Sequence, residues 1–299
     1  MKSATKSLSK SILRAWLSDY AQLTKVRLTM LVLITTLAGF YMGSMESFDF
    51  KPLFHTCFGT ALVAAGAAIL NQLLERDADA EMKRTRNRPL PAGRIHPNEA
   101  LVVGFTISVL GLIYLAMQTN LLTAVLAAVT LGTYLYIYTP SKRVTTLNTI
   151  IGAVPGALPP LIGWSAAQNN LSPEGWSLFA ILFFWQLPHF LAIAWMYRDD
   201  YQRAGFKMLT LFDETGQATG RQALLYTTAL LPISLLPTIF GLCGRLYFVG
   251  ALILGLGFLA CSIAFWKKTD HKNARCLFLT SIIYLPLLLS IMCWNKHKT

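Results

Sequence analysis

The sequence predicts an all-α membrane protein, a helical bundle with about nine transmembrane helices around a central cavity open to the cytoplasmic side. Two observations carry the fold class. Hydrophobic residues make up 54% of the 299-residue chain and charged residues only 13%, where soluble domains carry about 25% charged residues. The apolar residues also fall in runs near the roughly 20 residues needed to cross a bilayer, and lipid leaves the backbone of such runs no partner but its own helix.

The chain opens with a basic, Ser-rich lead-in, residues 1–27, which is expected to be cytoplasmic and in part an interfacial helix. No small-residue cleavage site follows the first apolar run, which argues against a removed signal. Residues 28–299 are read as a single transmembrane domain. Its spans are expected near 28–44, 53–73, 99–117, 121–139, 147–165, 175–196, 222–241, 246–266 and 275–294. Pro155, Pro159 and Pro160 should break or kink the fifth span, giving a bent helix that lines a pocket.

Assigning the loops alternately to two sides sorts the 26 Lys and Arg residues. Only Lys51, Arg245, Lys296 and Lys298 fall on one side; all others fall on the side of the N-terminus. By the positive-inside rule the N-terminus is cytoplasmic and the C-terminus is not. The net charge of +12 therefore reports loop bias, and no nucleic-acid partner is expected. The five cysteines, Cys57, Cys243, Cys261, Cys276 and Cys293, form no CxxC pair and are read as small hydrophobes. A weak echo between "LLERDADAEMKR" and "WMYRDDYQRAGFK", four spans apart, is compatible with two related four-helix units and a ninth helix.

The charge-rich stretch "NQLLERDADAEMKRTRNRPLPAG", residues 71–93, follows the second apolar run. If the helix continues past residue 71, Asn71, Glu75 and Asp79 stand at i, i+4 and i+8 and share one face. Asp77 points away. Mg²⁺ takes one or two carboxylates and fills its shell with water and substrate phosphate. The bases that follow suit phosphate oxygens. Acids for a metal beside bases for phosphate is the chemistry of a bound diphosphate. A solvated loop with helical ion pairs, each worth a few tenths of a kcal/mol, is the plainer alternative. The shared stripe and the stiff "NRPLPAGR" that follows favour function.

This stretch resembles the first motif of the UbiA-type intramembrane prenyltransferases, helical proteins that use Mg²⁺-bound isoprenyl diphosphates. Relatives usually carry Asp where this chain has Glu75, and the carboxylate is kept. "YLYIYTPSKRVTTLNTIIGAVPGALPPLIGW", 134–164, and "PHFLAIAWMYRDDYQRAGFKML", 188–209, are similar to segments of one branch, the protoheme IX farnesyltransferases or heme O synthases. "ERDAD", with its extra Asp77, fits that branch, and the similarity runs from residue 23 to about 210. In the second motif most of the superfamily has aspartates four residues apart. Here those places hold Tyr197 and Tyr201 with Asp199 and Asp200 between them, which puts a symmetric two-metal site in doubt. Val26, Lys207 and Thr210 stand where relatives often have proline.

The resemblance implies a transferase that moves a farnesyl group from farnesyl diphosphate to a vinyl group of heme B (protoheme IX), giving heme O. Its site residues would be Asn71, Glu75 and Asp79, with Glu75 and Asp79 holding Mg²⁺. Arg84, Arg88, Lys142, Arg143, Arg198 and Lys207 would bind diphosphate. Asp199, Asp200 and Tyr201 belong to the second motif. His189 is a heme-side candidate, balanced against a packing histidine; Lys25 and Arg27 are balanced between topology and diphosphate. The location implied is the cell inner (plasma) membrane, with the mitochondrial inner membrane as alternative and transient contact with heme A synthase or terminal oxidase assembly as a further implication. Two rivals stand beside this reading. One is a prenyltransferase with an aromatic, quinone-pathway acceptor. The other is a cation-coupled transporter, which should place acids at the bilayer midplane.

Overall fold

The computed structural model describes residues 14–44 and 49–297. Among them, nine helical stretches are long and apolar enough to cross a membrane. A short helix, α1 (residues 14–23), leads through a turn at 24–25 into α2 (Val26–Gly43). Then follow α3 (Phe50–Leu74), the short α4 (Arg76–Glu81), α5 (Pro97–Gln118) and α6 (Leu121–Gly132). A π-helical segment, Thr133–Tyr138, joins α6 to α7 (Thr139–Val144), and these three pieces form the fourth span. The fifth and sixth spans are α8 (Asn148–Gln168) and α9 (Pro173–Met196). After the short α10 (Arg198–Arg203) and α11 (Leu209–Phe212) come α12 (Gln217–Ile233) and α13 (Leu236–Ile239), together the seventh span. The chain ends with α14 (Arg245–Lys267) and α15 (His271–Trp294).

The spans expected from the sequence are all present, and their edges move by a few residues. Of the break or kink expected in the fifth span, the break does not occur. Pro155, Pro159 and Pro160 do not interrupt the fifth span, because α8 runs unbroken through all three. Its surroundings supply the reason. Two-thirds of α8 is buried, the largest share of any span, and it packs against α2, α3, α6 and α9. Neighbouring helices can support a helix through such prolines and partner backbone groups freed by the missing N–H. Gln186 on α9 donates to the Ala153 carbonyl at 2.8 Å and ties α9 to α8.

Two glycines bring α2 and α8 into backbone contact. A Cβ on Gly39 would lie 1.9 Å from the Pro160 carbonyl oxygen, and one on Gly163 would lie 1.9 Å from that of Thr36. At the far end of α2 the Lys296 ammonium donates to the Tyr41 carbonyl at 2.6 Å and also to that of Ser44. A cation there satisfies the open carbonyls of a helix C-terminus and ties the end of the chain to its first span.

The widened turn has a local cause. Pro140 has no N–H, and Thr139 Oγ1 donates five residues back to the Tyr134 carbonyl at 2.8 Å. Insertions of this kind often sit at functional sites. This one sets Tyr134 and Tyr138 5.7 Å apart, one turn before Lys142.

Replacing Gly39 by valine should force α2 from α8 and destabilise the fold by about 1–3 kcal/mol or more, the usual cost of overpacking. Thermal unfolding in detergent should show a lower midpoint. An unchanged midpoint would mean that the close approach is not needed.

Candidate functional site

The second span ends at a joint. Glu75, between α3 and α4, departs from helical geometry with ψ near 8°. The hydrogen-bond ladder nevertheless crosses it, from Glu75 N to the Asn71 carbonyl at 3.0 Å and from Asp79 N to that of Glu75 at 2.8 Å. Asn71, Glu75 and Asp79 therefore keep the one-face spacing expected from the sequence, and all three are buried, exposed by only 1%, 7% and 1%. Asp77 turns outward and pairs with Arg76.

Each polar member of the stripe meets a cation from a different part of the chain. Lys142 Nζ lies 2.7 Å from Glu75 Oε1. Arg88 Nη1 lies 2.7 Å from Asp79 Oδ2. Lys25 Nζ donates to Asn71 Oδ1 at 2.7 Å, and Asn71 Nδ2 donates to Thr139 Oγ1 at 3.1 Å. The other carboxylate oxygen, Asp79 Oδ1, is buried without a hydrogen-bond partner. A buried charged oxygen left unpaired is costly, and a cation is what this atom lacks. Among the described residues no group of three His, Cys, Asp or Glu side chains gathers. What the stripe offers is two carboxylates and an amide, a donor set that fits Mg²⁺ completed by water and phosphate.

Lys25 was the residue hardest to place from the sequence. It takes a left-handed backbone, φ 48°, which is uncommon for a residue with a Cβ. Gln72 holds it there by donating to the carbonyls of Gln22 and Leu23, at 3.1 and 2.7 Å, at the end of α1. Burial pushes the Lys25 ammonium down to about 7, and the nearby Arg88 guanidinium acts in the same direction. Its sequence context is merely basic, and nothing there reveals a contact with Asn71.

The loop after α4 is fixed from within. Thr85 Oγ1 donates to the Asp79 carbonyl at 2.8 Å, and the N–H of Arg94 closes a turn onto the Pro89 carbonyl at 2.9 Å. An apolar contact among Ala78, Met82, Ala194, Ala204, Phe206 and Met208 joins the first motif to the second. Backbone bonds complete the joint. Lys207 N donates to the Lys142 carbonyl at 2.6 Å, and Asn148 Nδ2 donates to the Lys207 carbonyl at 2.7 Å.

The remaining candidates divide. Arg84 is exposed and lies over the rings of Tyr197 and Tyr201, 5.3 and 5.8 Å from their centroids. Lys142 also lies over the Tyr138 and Phe206 rings, at 4.5 and 5.6 Å. Lys207 reaches the site through its backbone. Asp200 is buried and paired with Arg203, while Asp199 is exposed. Arg143 is exposed, and Arg198 lies over Trp195 at 4.9 Å. His189 sits between the rings of Trp185 and Phe278, and its Nδ1 is 2.7 Å from Ser281 Oγ. That is the packing of α9 against α15, and none of its described contacts reaches the charged stripe.

The chain is similar to known proteins over most of its length. The profile of the UbiA prenyltransferase family matches residues 32–285. A protoheme IX farnesyltransferase of Solibacter usitatus is 46% identical, covering 93% of this chain and 98% of the relative. A mitochondrial protoheme IX farnesyltransferase of Arabidopsis thaliana is 38% identical over 91% of this chain and 63% of its own length. Among solved structures, a digeranylgeranylglyceryl phosphate synthase superimposes with a TM-score of 0.80 at 18% identity, covering 93% of this chain and 98% of its own. A UbiA homolog from Archaeoglobus fulgidus bound to GPP and Mg²⁺ does so with a TM-score of 0.64 at 13% identity, covering 92% and 99%.

Substituting Lys142 by methionine leaves Glu75 buried without its cation and should cost about 3–5 kcal/mol. Glu75→Gln in the same chain should recover most of that loss. Thermal unfolding of the two single variants and the double, without added Mg²⁺, gives the coupling. Simple additivity would show that the pair is not an interacting unit.

Proposed function

The chain belongs to the UbiA prenyltransferase family, and on that premise we propose that it farnesylates heme B at a vinyl group to give heme O. The relatives named protoheme IX farnesyltransferase, alike over nearly the whole chain, support the acceptor. The observation that carries the chemistry is the buried stripe Asn71, Glu75 and Asp79, with Lys142, Arg88 and Lys25 already on it.

In this reading Glu75 and Asp79 would hold Mg²⁺ and Asn71 would orient the group; a structural neighbour carrying GPP and Mg²⁺ supports the metal. When bound, the ion neutralises charge on the diphosphate oxygens as they leave. Lys142 and Arg88, freed from the carboxylates, turn their N–H groups to phosphate oxygens. Lys25 adds a third donor from the α1–α2 turn. Arg84 and Lys207 contribute from the rim. The C1–O bond of farnesyl diphosphate breaks with its electron pair going to diphosphate, and the vinyl π pair of heme B forms the new bond to C1. Water captures the cation left beside the porphyrin and gives up a proton. The apolar walls of α8 and α9 keep water away until that step. No covalent enzyme intermediate is required.

The basic end of the bundle, which carries the stripe, is proposed to face the cytoplasm and to open the cavity there, by the distribution of Lys and Arg. Residues 28–299 then work as one unit in a cell inner membrane. A coupled transporter fits less well. In the described spans the only acids are Glu99 and Glu174, each in the first turn of its helix and not at mid-depth. An aromatic acceptor shares the diphosphate chemistry and is separated from heme by experiment.

Purified protein should be incubated with Mg²⁺, farnesyl diphosphate, heme B and 4-hydroxybenzoate as a competing acceptor. The expected product by mass spectrometry is hydroxyfarnesylated heme. A prenylated benzoate would overturn the acceptor, and no diphosphate release would overturn the reaction. Asp79→Ala should keep the fold and lower turnover on the order of 10³-fold, the equivalent of several kcal/mol of lost charge stabilisation. Near-normal turnover in that variant would remove Asp79 from the metal site.

A further inference from the structure

The second motif does not present a carboxylate pair. Asp200 is buried and committed to Arg203, and Asp199 is exposed. What the motif presents instead is two ring faces, and a cation from the first motif occupies them. The Arg84 guanidinium lies within cation–π range of both Tyr197 and Tyr201. It has no ion pair among the described residues, so its N–H groups are open to a ligand.

These rings belong to a longer track. Tyr201 pairs with Phe206 at 6.1 Å between centroids. Phe206 lies under Lys142, as does Tyr138. Four aromatic side chains thus carry two cations, Lys142, which reaches Glu75 of the stripe, and the exposed Arg84. The apolar contact of Ala78 and Met82 with Phe206 and Met208 fixes the two motifs against each other. The track's position is therefore set by the fold and not by the cations alone.

We propose that Tyr197 and Tyr201 are positioning residues that hold Arg84 as a further cation of the diphosphate site beside Lys142, Arg88 and Lys25, so that the second motif serves the diphosphate with a guanidinium and the site needs one carboxylate-bound metal. This rests on the function proposed above. A fork of N–H donors matches phosphate oxygens, and the ring faces fix its direction without neutralising it, as a carboxylate would. The diphosphate would then meet the clamped Arg84 as well as Lys142.

The test reads binding of inorganic pyrophosphate by calorimetry in EDTA, so that it does not depend on turnover. Arg84 is exposed, and Arg84→Ala should fold and weaken binding by roughly tenfold or more. Tyr197→Leu with Tyr201→Leu should weaken it by roughly fivefold, and Tyr197→Phe with Tyr201→Phe should restore it, because the ring face and not the hydroxyl does the holding. In the Arg84→Ala background the leucine pair should add nothing. Equilibrium dialysis with pyrophosphate should count one Mg²⁺ per protein. Wild-type affinity in Arg84→Ala, an undiminished effect of the leucines without Arg84, failure of the phenylalanines to restore, or two bound Mg²⁺ would each overturn the clamp. Should the leucine pair fail to fold, Arg84→Ala and the metal count decide. Absence of farnesylated heme from the wild-type protein would instead overturn the reaction, and pyrophosphate binding would still test the clamp.

Discussion

Two carboxylates buried at the end of an apolar helix are the constraint on which the architecture turns. An ionised carboxylate out of water costs several kcal/mol unless a cation comes with it. The helix that carries Glu75 and Asp79 cannot supply one to its own buried face. The cations arrive from elsewhere: Lys142 from the end of the fourth span, Arg88 from the loop after α4, and Lys25 from the turn before α2. Each delivery demands local structure. The π-helical segment precedes Lys142, the proline-rich turn follows Arg88, and the left-handed backbone of Lys25 is held by Gln72. Strain and irregularity collect where the fold brings charges together, as expected at a working site.

Beyond this end, the bundle is built for rigidity. Backbone contact at Gly39 and Gly163 locks the first span to the buried α8. Lys296 closes the far end of α2 with the last residues of the chain. Backbone bonds from Lys207 to Lys142 and from Asn148 to Lys207 tie the second motif to the fourth and fifth spans. The groups proposed to act on one diphosphate are thus carried by elements tied to one another, which is what orientation at a reacting centre requires.

Much of this was legible in the sequence, for physical reasons. Span lengths follow from bilayer thickness, so the nine apolar runs became nine helical stretches with edges shifted by a few residues. The stripe at 71, 75 and 79 followed from helical periodicity, and the outward Asp77 with it. What periodicity cannot give is which distant base meets which acid. Lys142, Arg143, Arg198 and Lys207 look alike in the sequence, yet only Lys142 reaches a carboxylate of the stripe, and Lys25, balanced in the sequence between topology and diphosphate, meets Asn71. The prolines of α8 leave the helix unbroken because their effect depends on neighbours that the sequence does not show. His189 could not be resolved from its own context, since the rings that enclose it include Phe278 from a helix more than eighty residues away.

We propose that the protein's own cations neutralise Glu75 and Asp79 until a diphosphate takes those cations and a metal replaces them. Calorimetric titration of Mg²⁺ into the purified protein, with and without saturating pyrophosphate, tests it most directly. The account predicts weak Mg²⁺ binding alone and binding at least about tenfold tighter with pyrophosphate, with the reciprocal effect on pyrophosphate that linkage requires. Equal Mg²⁺ affinity in both titrations would contradict it.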